Sequence, residues 1–259
     1  MEPSRIRLVC FDIDGTLTDG VGGPAIPGAA HAVRQILERM PVRLVTNTTS
    51  VPHRILAAHL TRQGLLENPS WLVTPAVVAR RTLPERGHAR GLLYVEPEVR
   101  EDFEWFQSDP RGPAVVLATE GHDLRIADLQ PAFRRLVEGA TLYTLQRNRY
   151  FRKGGELVTD LGPVAAFLAY ASGREAETLG KPSELLFDAV AKEEGVQRGE
   201  IAMVGDDAEF DVSASVALGM AGVLVRTGKF RAGDATRFTP GPTAVLDSAA
   251  AVPAWLGIA

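Results

Sequence analysis

Short apolar runs alternate with amphipathic stretches along the chain, the pattern of a parallel α/β protein. Residues 6–11 read as a buried strand, and Asp12-Ile13-Asp14-Gly15-Thr16 ends it because Gly15 breaks the run. A Gly/Pro-rich loop over 19–28 leads into a helix over 29–39. A second apolar run, 42–45, stops at Thr46-Asn47-Thr48-Thr49-Ser50, and Pro52 opens another helix, a favoured place for proline. Residues 92–95, 114–117 and 141–145 are further strands, separated by helices around 76–83 and 126–137. A helix over 162–171 leads into Thr178-Leu179-Gly180-Lys181-Pro182. The remainder reads as a helix over 184–194, a strand over 201–204, a last core strand at 223–225 and a closing helix over 249–256.

Bulk properties narrow the class. At 259 residues the chain suffices for one large or two modest domains. Its 45% hydrophobic and 23% charged residues are ordinary for a globular protein. A net charge of -4 argues against nucleic acid as an electrostatic partner. Cys10 is the single cysteine, so a disulfide framework is excluded and a reducing compartment is compatible. No apolar stretch is long enough to span a bilayer, and residues 1–5 lack the apolar core of a signal peptide. The expected location is cytoplasmic.

Candidate chemistry gathers at strand ends, where open α/β sheets hold their ligands. Asp12 and Asp14 are spaced to share one phosphate and one hard cation. Two close carboxylates have their pKa values pushed apart, so Asp12 can attack as nucleophile while Asp14 handles the proton. Thr46 offers a hydroxyl to a phosphate oxygen, with the backbone amides of Asn47 and Thr48 beside it. Lys181, between Gly180 and Pro182, precedes a helix. Asp206, Asp207 and Asp211 follow a strand. Mg²⁺ takes a few carboxylates, waters and phosphate oxygens, a demand met by Asp12, Asp206 and the Asp14 carbonyl. Each group alone has a plainer reading. The aspartates suit turns and N-caps, Thr46-Asn47 suits a cap before Pro52, and a lysine is usually solvated. Their conjunction at the ends of successive elements favours phosphoryl transfer, which needs a placed nucleophile, cations and fixed donors.

These motifs resemble those of the haloacid dehalogenase superfamily. Asp12-Ile13-Asp14-Gly15-Thr16 matches its first motif, Thr46 the second, Lys181 the third, and Gly205-Asp206 with Asp211 the fourth. The 34 positions from Asp12 to Thr46 leave no room for a cap, whereas the 135 from Thr46 to Lys181 do. The resemblance therefore implies a Rossmann-like doubly wound parallel sheet core, 1–73 and 177–259, with a smaller α/β cap inserted at 74–176. That arrangement is similar to the class IIA branch. Within it, Arg149-Tyr150-Phe151, Asp160-Leu161-Gly162-Pro163, Gly180-Lys181-Pro182-Ser183 and Arg226-Thr227-Gly228-Lys229-Phe230 look most like the phospholysine phosphohistidine inorganic pyrophosphate phosphatase group.

The resemblance assigns roles. Asp12 is the nucleophile and Asp14 the acid/base. Thr46, Asn47 and Lys181 bind substrate, with Lys181 also restraining the nucleophile. Asp12, Asp14 and Asp206 hold Mg²⁺, and Asp207 and Asp211 support them. It implies a phosphatase acting through an aspartyl-phosphate on a sugar phosphate, nucleotide, pyrophosphate or phospho-amino acid. A homodimer through the cap is a further implication. Arginines at Arg147 and Arg149, beside Asn148 and Tyr150, would suit an anionic leaving group. The loop 18–24 is richer in glycine than the family pattern suggests. Asp14 argues against a dehalogenase, and the cap position against a phosphomutase. A response-regulator receiver is about half this length and lacks the first motif. The rival of another class is a phosphate-binding regulatory protein with weak turnover, disfavoured because every catalytic position is filled.

Overall fold

The computed structural model describes residues 2–121, 123–153 and 156–258. The chain divides into two compact units, one of Met1–Thr46, Arg54–Val73 and Phe187–Ala259, the other of Asn47–His53 and Thr74–Leu186. Among the described residues no helix is long and apolar enough to cross a membrane.

The first unit is built on six parallel strands in the order Ala244–Leu246, Ala221–Val225, Ile201–Gly205, Leu8–Asp12, Val42–Val45, Leu72–Val73. Its four central strands are buried at every position, which is why they read as largely apolar runs, with Arg43 the buried exception in Val42–Val45. Cys10 lies among them, buried. The helix Ala29–Leu37 buries Ala29, Ala32, Val33 and Ile36, a single stripe at helical spacing. His53–Arg62 does the same with Leu56, Ala57 and Leu60.

Chain order reverses between the first strand and Ile201–Gly205: later strands add on opposite sides of these two. Such a switch point opens a crevice at the carboxyl ends. Register fixes what stands there. Phe11 is level with Val204, and Asp12 with Val45. Asp12, Thr46 and Asp206 therefore emerge at neighbouring strand ends.

Three expected elements differ from the observed ones. Residues 223–225 are not in the last strand of the sheet, because Ala244–Leu246 pairs beyond them at its edge. Three half-buried residues are too short a run to stand out in a sequence. The helix expected over 126–137 begins only at Gln130. Before it, Asp128 folds back to accept hydrogen bonds from the Arg125 amide and guanidinium, closing a turn, and Pro131 suits the first helical turn. The closing segment 249–256 is a 3₁₀ turn, Ala249–Ala251, followed by the single α turn Val252–Trp255.

The second unit carries five parallel strands in the order Ala176–Thr178, Thr141–Thr144, Ala114–Ala118, Arg90–Val95, Gln107–Ser108. Tyr150–Lys153 and Glu156–Thr159 pair antiparallel as a separate two-stranded sheet. Strand Ala176–Thr178 spans the boundary expected at 176/177, and its pairing with Thr141–Thr144 belongs to this unit.

Candidate active site

Asp12 is the last residue of its strand and is buried. Thr16 Oγ1 donates to Asp12 Oδ2 at 3.2 Å and fixes the carboxylate's rotation. The chain turns sharply here because the Ile13 carbonyl accepts from three amides, Thr16 at 3.2 Å, Leu17 at 2.9 Å and Thr18 at 2.9 Å. Gly15 sits at φ +94°, and a Cβ there would strike the Asp206 carboxylate. Only glycine meets both conditions cheaply. The glycine-rich loop that follows is folded rather than open. Asp19 N–H donates to Pro24 O at 2.9 Å and Ile26 N–H to Leu17 O at 2.8 Å. His59, in the helix His53–Arg62, and Gln63, just beyond it, hold the Gly23 carbonyl and the Ala25 amide.

The acidic loop supplies the second half of the site. Carboxylate oxygens of Asp12, Asp206 and Asp211 all lie within 4.8 Å of one another, and all three residues are buried. Asp206 Oδ2 accepts from the Lys229 amide at 2.6 Å, whereas Asp206 Oδ1 is buried with no hydrogen-bond partner among the described residues. Burial, then the charge of Asp211, pushes the Asp206 carboxyl up to about 6. Three hard oxygen donors, one of them orphaned, in a pocket that penalises unbalanced negative charge fit a divalent cation of the Mg²⁺ kind. The Asp14 side chain is not one of the converging three; it is half-buried on the turn.

Asp211 reaches this position because the chain after Asp207 winds as a π-helical turn, Ala208–Ser213. Asp207 caps that turn, its Oδ1 accepting from Glu209 N–H at 3.1 Å and Phe210 N–H at 3.0 Å. The Asp207 amide in turn donates to Asp211 Oδ2 at 3.3 Å. Gly205 permits the approach, since a Cβ there would overlap the Asp211 side chain.

Gly228 and Lys229 were not singled out as site residues by the motifs. Gly228, at φ +55°, lies against Asp206 Oδ2 and the Gly15 backbone. Lys229 Nζ pairs with Asp207 Oδ2 at 3.2 Å. Burial works against the Lys229 charge, but Asp207, Asp211, Asp206 and Asp12 outweigh it and leave its pKa raised. The sequence marks this segment only through the likeness of Arg226–Phe230 to the phosphatase group, which assigns neither residue a role.

Thr46 is buried at the end of Val42–Val45, and its amide donates to Val73 O at 3.2 Å. Asn47 and Lys181 fall in the second unit and bond each other. Lys181 is buried and precedes a cis peptide to Pro182. Arg147 and Tyr150 are exposed and Asn148 is half-buried, its amide held by Gln146.

Comparison with known proteins decides the family. The haloacid dehalogenase-like hydrolase pattern matches residues 9–107, and a second HAD-hydrolase-like pattern matches 178–252. Phospholysine phosphohistidine inorganic pyrophosphate phosphatase of Bos taurus is 37% identical over 235 residues, covering 88% of this chain and 86% of that one. The chain belongs to the haloacid dehalogenase-like hydrolases. Haloacid dehalogenase-like hydrolase domain-containing protein 2 of Homo sapiens, 33% identical over 94% of this chain and 93% of its own, is another member. In fold, this hydrolase is similar to 4-nitrophenylphosphatase of Thermotoga maritima, with a TM-score of 0.83, 24% identity, and 96% and 97% of the two chains covered. The p-nitrophenyl phosphatase of Archaeoglobus fulgidus gives a TM-score of 0.83 at 22% identity over 95% and 97%.

Proposed function

We propose that this hydrolase is a Mg²⁺-dependent phosphatase of small phosphorylated molecules, working through an aspartyl-phosphate. The observation that carries the reading is the buried cluster of Asp12, Asp206 and Asp211, with Asp206 Oδ1 unpartnered among the described residues, at the switch point of a parallel sheet. Residues 1–73 and 177–259 then carry the chemistry, and residues 74–176 are the cap that selects the leaving group.

In the first step, an Asp12 oxygen attacks phosphorus and the bond from phosphorus to the leaving oxygen breaks. Asp14, protonated, gives its proton to that oxygen. In the second step, Asp14 as carboxylate takes a proton from water, whose oxygen attacks the phosphorus of the aspartyl-phosphate. Inorganic phosphate leaves and Asp12 is regenerated. Thr46 donates its hydroxyl to a phosphoryl oxygen. Lys181, assigned on its motif, supplies positive charge to the others. Asp12 and Asp206, with the Asp14 carbonyl and support from Asp211 and Asp207, would hold Mg²⁺. When bound, the ion offsets the charge of phosphate and carboxylates as they approach.

The test is phosphate release, with and without Mg²⁺, from p-nitrophenyl phosphate, sugar phosphates, nucleotides, pyrophosphate and phospho-amino acids. Metal-dependent release supports the reading. Silence across the panel in folded protein moves it to the phosphate-binding alternative. The relatives' names put pyrophosphate and phospho-amino acids among the first to try. A cap-mediated homodimer is part of the proposal and is checked by sedimentation.

Two further outcomes are expected. Mg²⁺ at about 100 times its dissociation constant should stabilise the wild type by ~2.7 kcal/mol. In Asp206→Asn the thermal midpoint should no longer respond, and an undiminished rise there would remove Asp206 from the metal site. Replacing Asp14 with Asn should cut turnover by roughly 10² to 10³-fold for poor leaving groups, the usual contribution of general acid–base catalysis. The loss should shrink for p-nitrophenyl phosphate, whose phenolate leaves without a proton. Equal losses for both substrate types would remove Asp14 as the acid for the leaving group and leave it only the second-step base role.

A further inference from the structure

Asn47 follows the phosphate-binding Thr46 directly, yet its side chain is committed elsewhere. Its Oδ1 accepts from the Lys181 backbone amide at 2.6 Å, and its Nδ2 donates to the Lys181 carbonyl at 2.7 Å. One planar amide thus grips both ends of a single residue's main chain, 134 positions away in sequence. We propose that Asn47 is a positioning residue, whose side chain sets the Lys181 main chain so that the buried ammonium is presented to the phosphoryl group. The inference rests on the phosphatase reading, which puts Lys181 in the reaction.

The surrounding backbone is shaped to admit this grip. A Cβ on Gly180 would run into Asn47 Oδ1 and the Leu145 carbonyl, so the residue before Lys181 has to be glycine for the clip to close. On either side the segment is tied down by other groups. Leu179 N–H donates to Thr144 O at 2.9 Å, and Ser183 Oγ donates to the Thr178 carbonyl. Ser183 Oγ also accepts from Leu186 N–H at 3.4 Å, starting the helix Glu184–Glu194. Asn47 acts between these anchors, on the residue that carries the charge. Lys181 is only 3% exposed, so its ammonium has few alternative positions from which to reach a phosphate. Placement errors of about 1 Å in a catalytic group can cost on the order of 10²-fold in rate.

The grip also explains why the position calls for asparagine. Aspartate keeps the acceptor for the Lys181 amide but sets a carboxylate oxygen against the Lys181 carbonyl. Serine is too short to span both groups, and glutamine places its amide one methylene too far out.

The test is a double-mutant cycle on phosphate release with Mg²⁺, joined to hydrogen exchange of the Lys181 amide. Asn47→Ala is expected to lower kcat about 10- to 100-fold with KM changed less than about threefold. Asn47→Ala/Lys181→Ala should be no slower than Lys181→Ala alone, because the grip has nothing left to position. Asn47→Asp should fall between wild type and Asn47→Ala, and it carries the cycle if the alanine variant does not fold. The Lys181 amide should exchange faster in Asn47→Ala, which removes its acceptor. Additive losses in the double variant, with Lys181→Ala itself crippled, overturn the positioning role alone. A fully active Lys181→Ala, or a wild type silent on every phosphate ester, overturns the reading beneath it, while the exchange rates still report whether the grip exists.

Discussion

Asp12→Asn is expected to lose phosphate release by a factor on the order of 10⁴ or more and to fold as the wild type does. The amide of asparagine is a poor nucleophile toward phosphorus, so no acyl-phosphate forms and the second step has no substrate. The fold should tolerate the change because the replacement is nearly isosteric and its oxygen can still accept from Thr16 Oγ1, 3.2 Å away in the wild type. Electrostatics points the same way. Asp12 shares a buried cluster with Asp206 and Asp211, and removing one of three like charges relieves repulsion in the metal-free protein. The thermal midpoint without Mg²⁺ should therefore be no lower than that of the wild type. A midpoint that falls by several degrees would mean that the lost activity reports unfolding. Near-normal turnover in a well-folded variant would sink the covalent mechanism.

The same cluster shows what could be read from the chain and what could not. The strand before Asp12 and the one before Asp206 are unbroken apolar runs ending in acids, so both their existence and their ends were visible. The parallel core followed from the alternation of such runs with amphipathic helices. The motifs give Asp211 only a supporting role, yet it stands with Asp12 and Asp206 in the carboxylate cluster. It is brought there by the π-helical turn that Asp207 caps, a local winding with no periodic signature. Edge strands failed for a different reason. Ala244–Leu246 and Ala176–Thr178 have three residues each and half-buried patterns, too little to separate from loop. The Asn47 grip on Lys181 joins residues 134 apart, and no local pattern encodes a pairing of that range.

Arg43 carries the second large effect, on stability rather than turnover. It occupies the middle of the buried strand Val42–Val45, whose end presents Thr46, and its guanidinium pairs with Glu194. The side chains are 9% and 11% exposed, so the pair is shielded from water. Glu194 is the last residue of the helix Glu184–Glu194, where the helix dipole disfavours a negative charge. Arg43 offsets both penalties at once. Arg43→Met should therefore cost about 3–5 kcal/mol in denaturant unfolding, since it leaves a buried carboxylate uncompensated at the wrong end of a helix. Arg43→Met/Glu194→Met should recover most of that loss, because two apolar side chains of similar length need no partner in the same space. A single variant that loses less than about 1 kcal/mol would show that water reaches Glu194 and that the pair is worth no more than a surface one. If the prediction holds, turnover measured well below the unfolding transition should stay close to wild type in the double variant, because the strand that ends in Thr46 keeps its register without the charge.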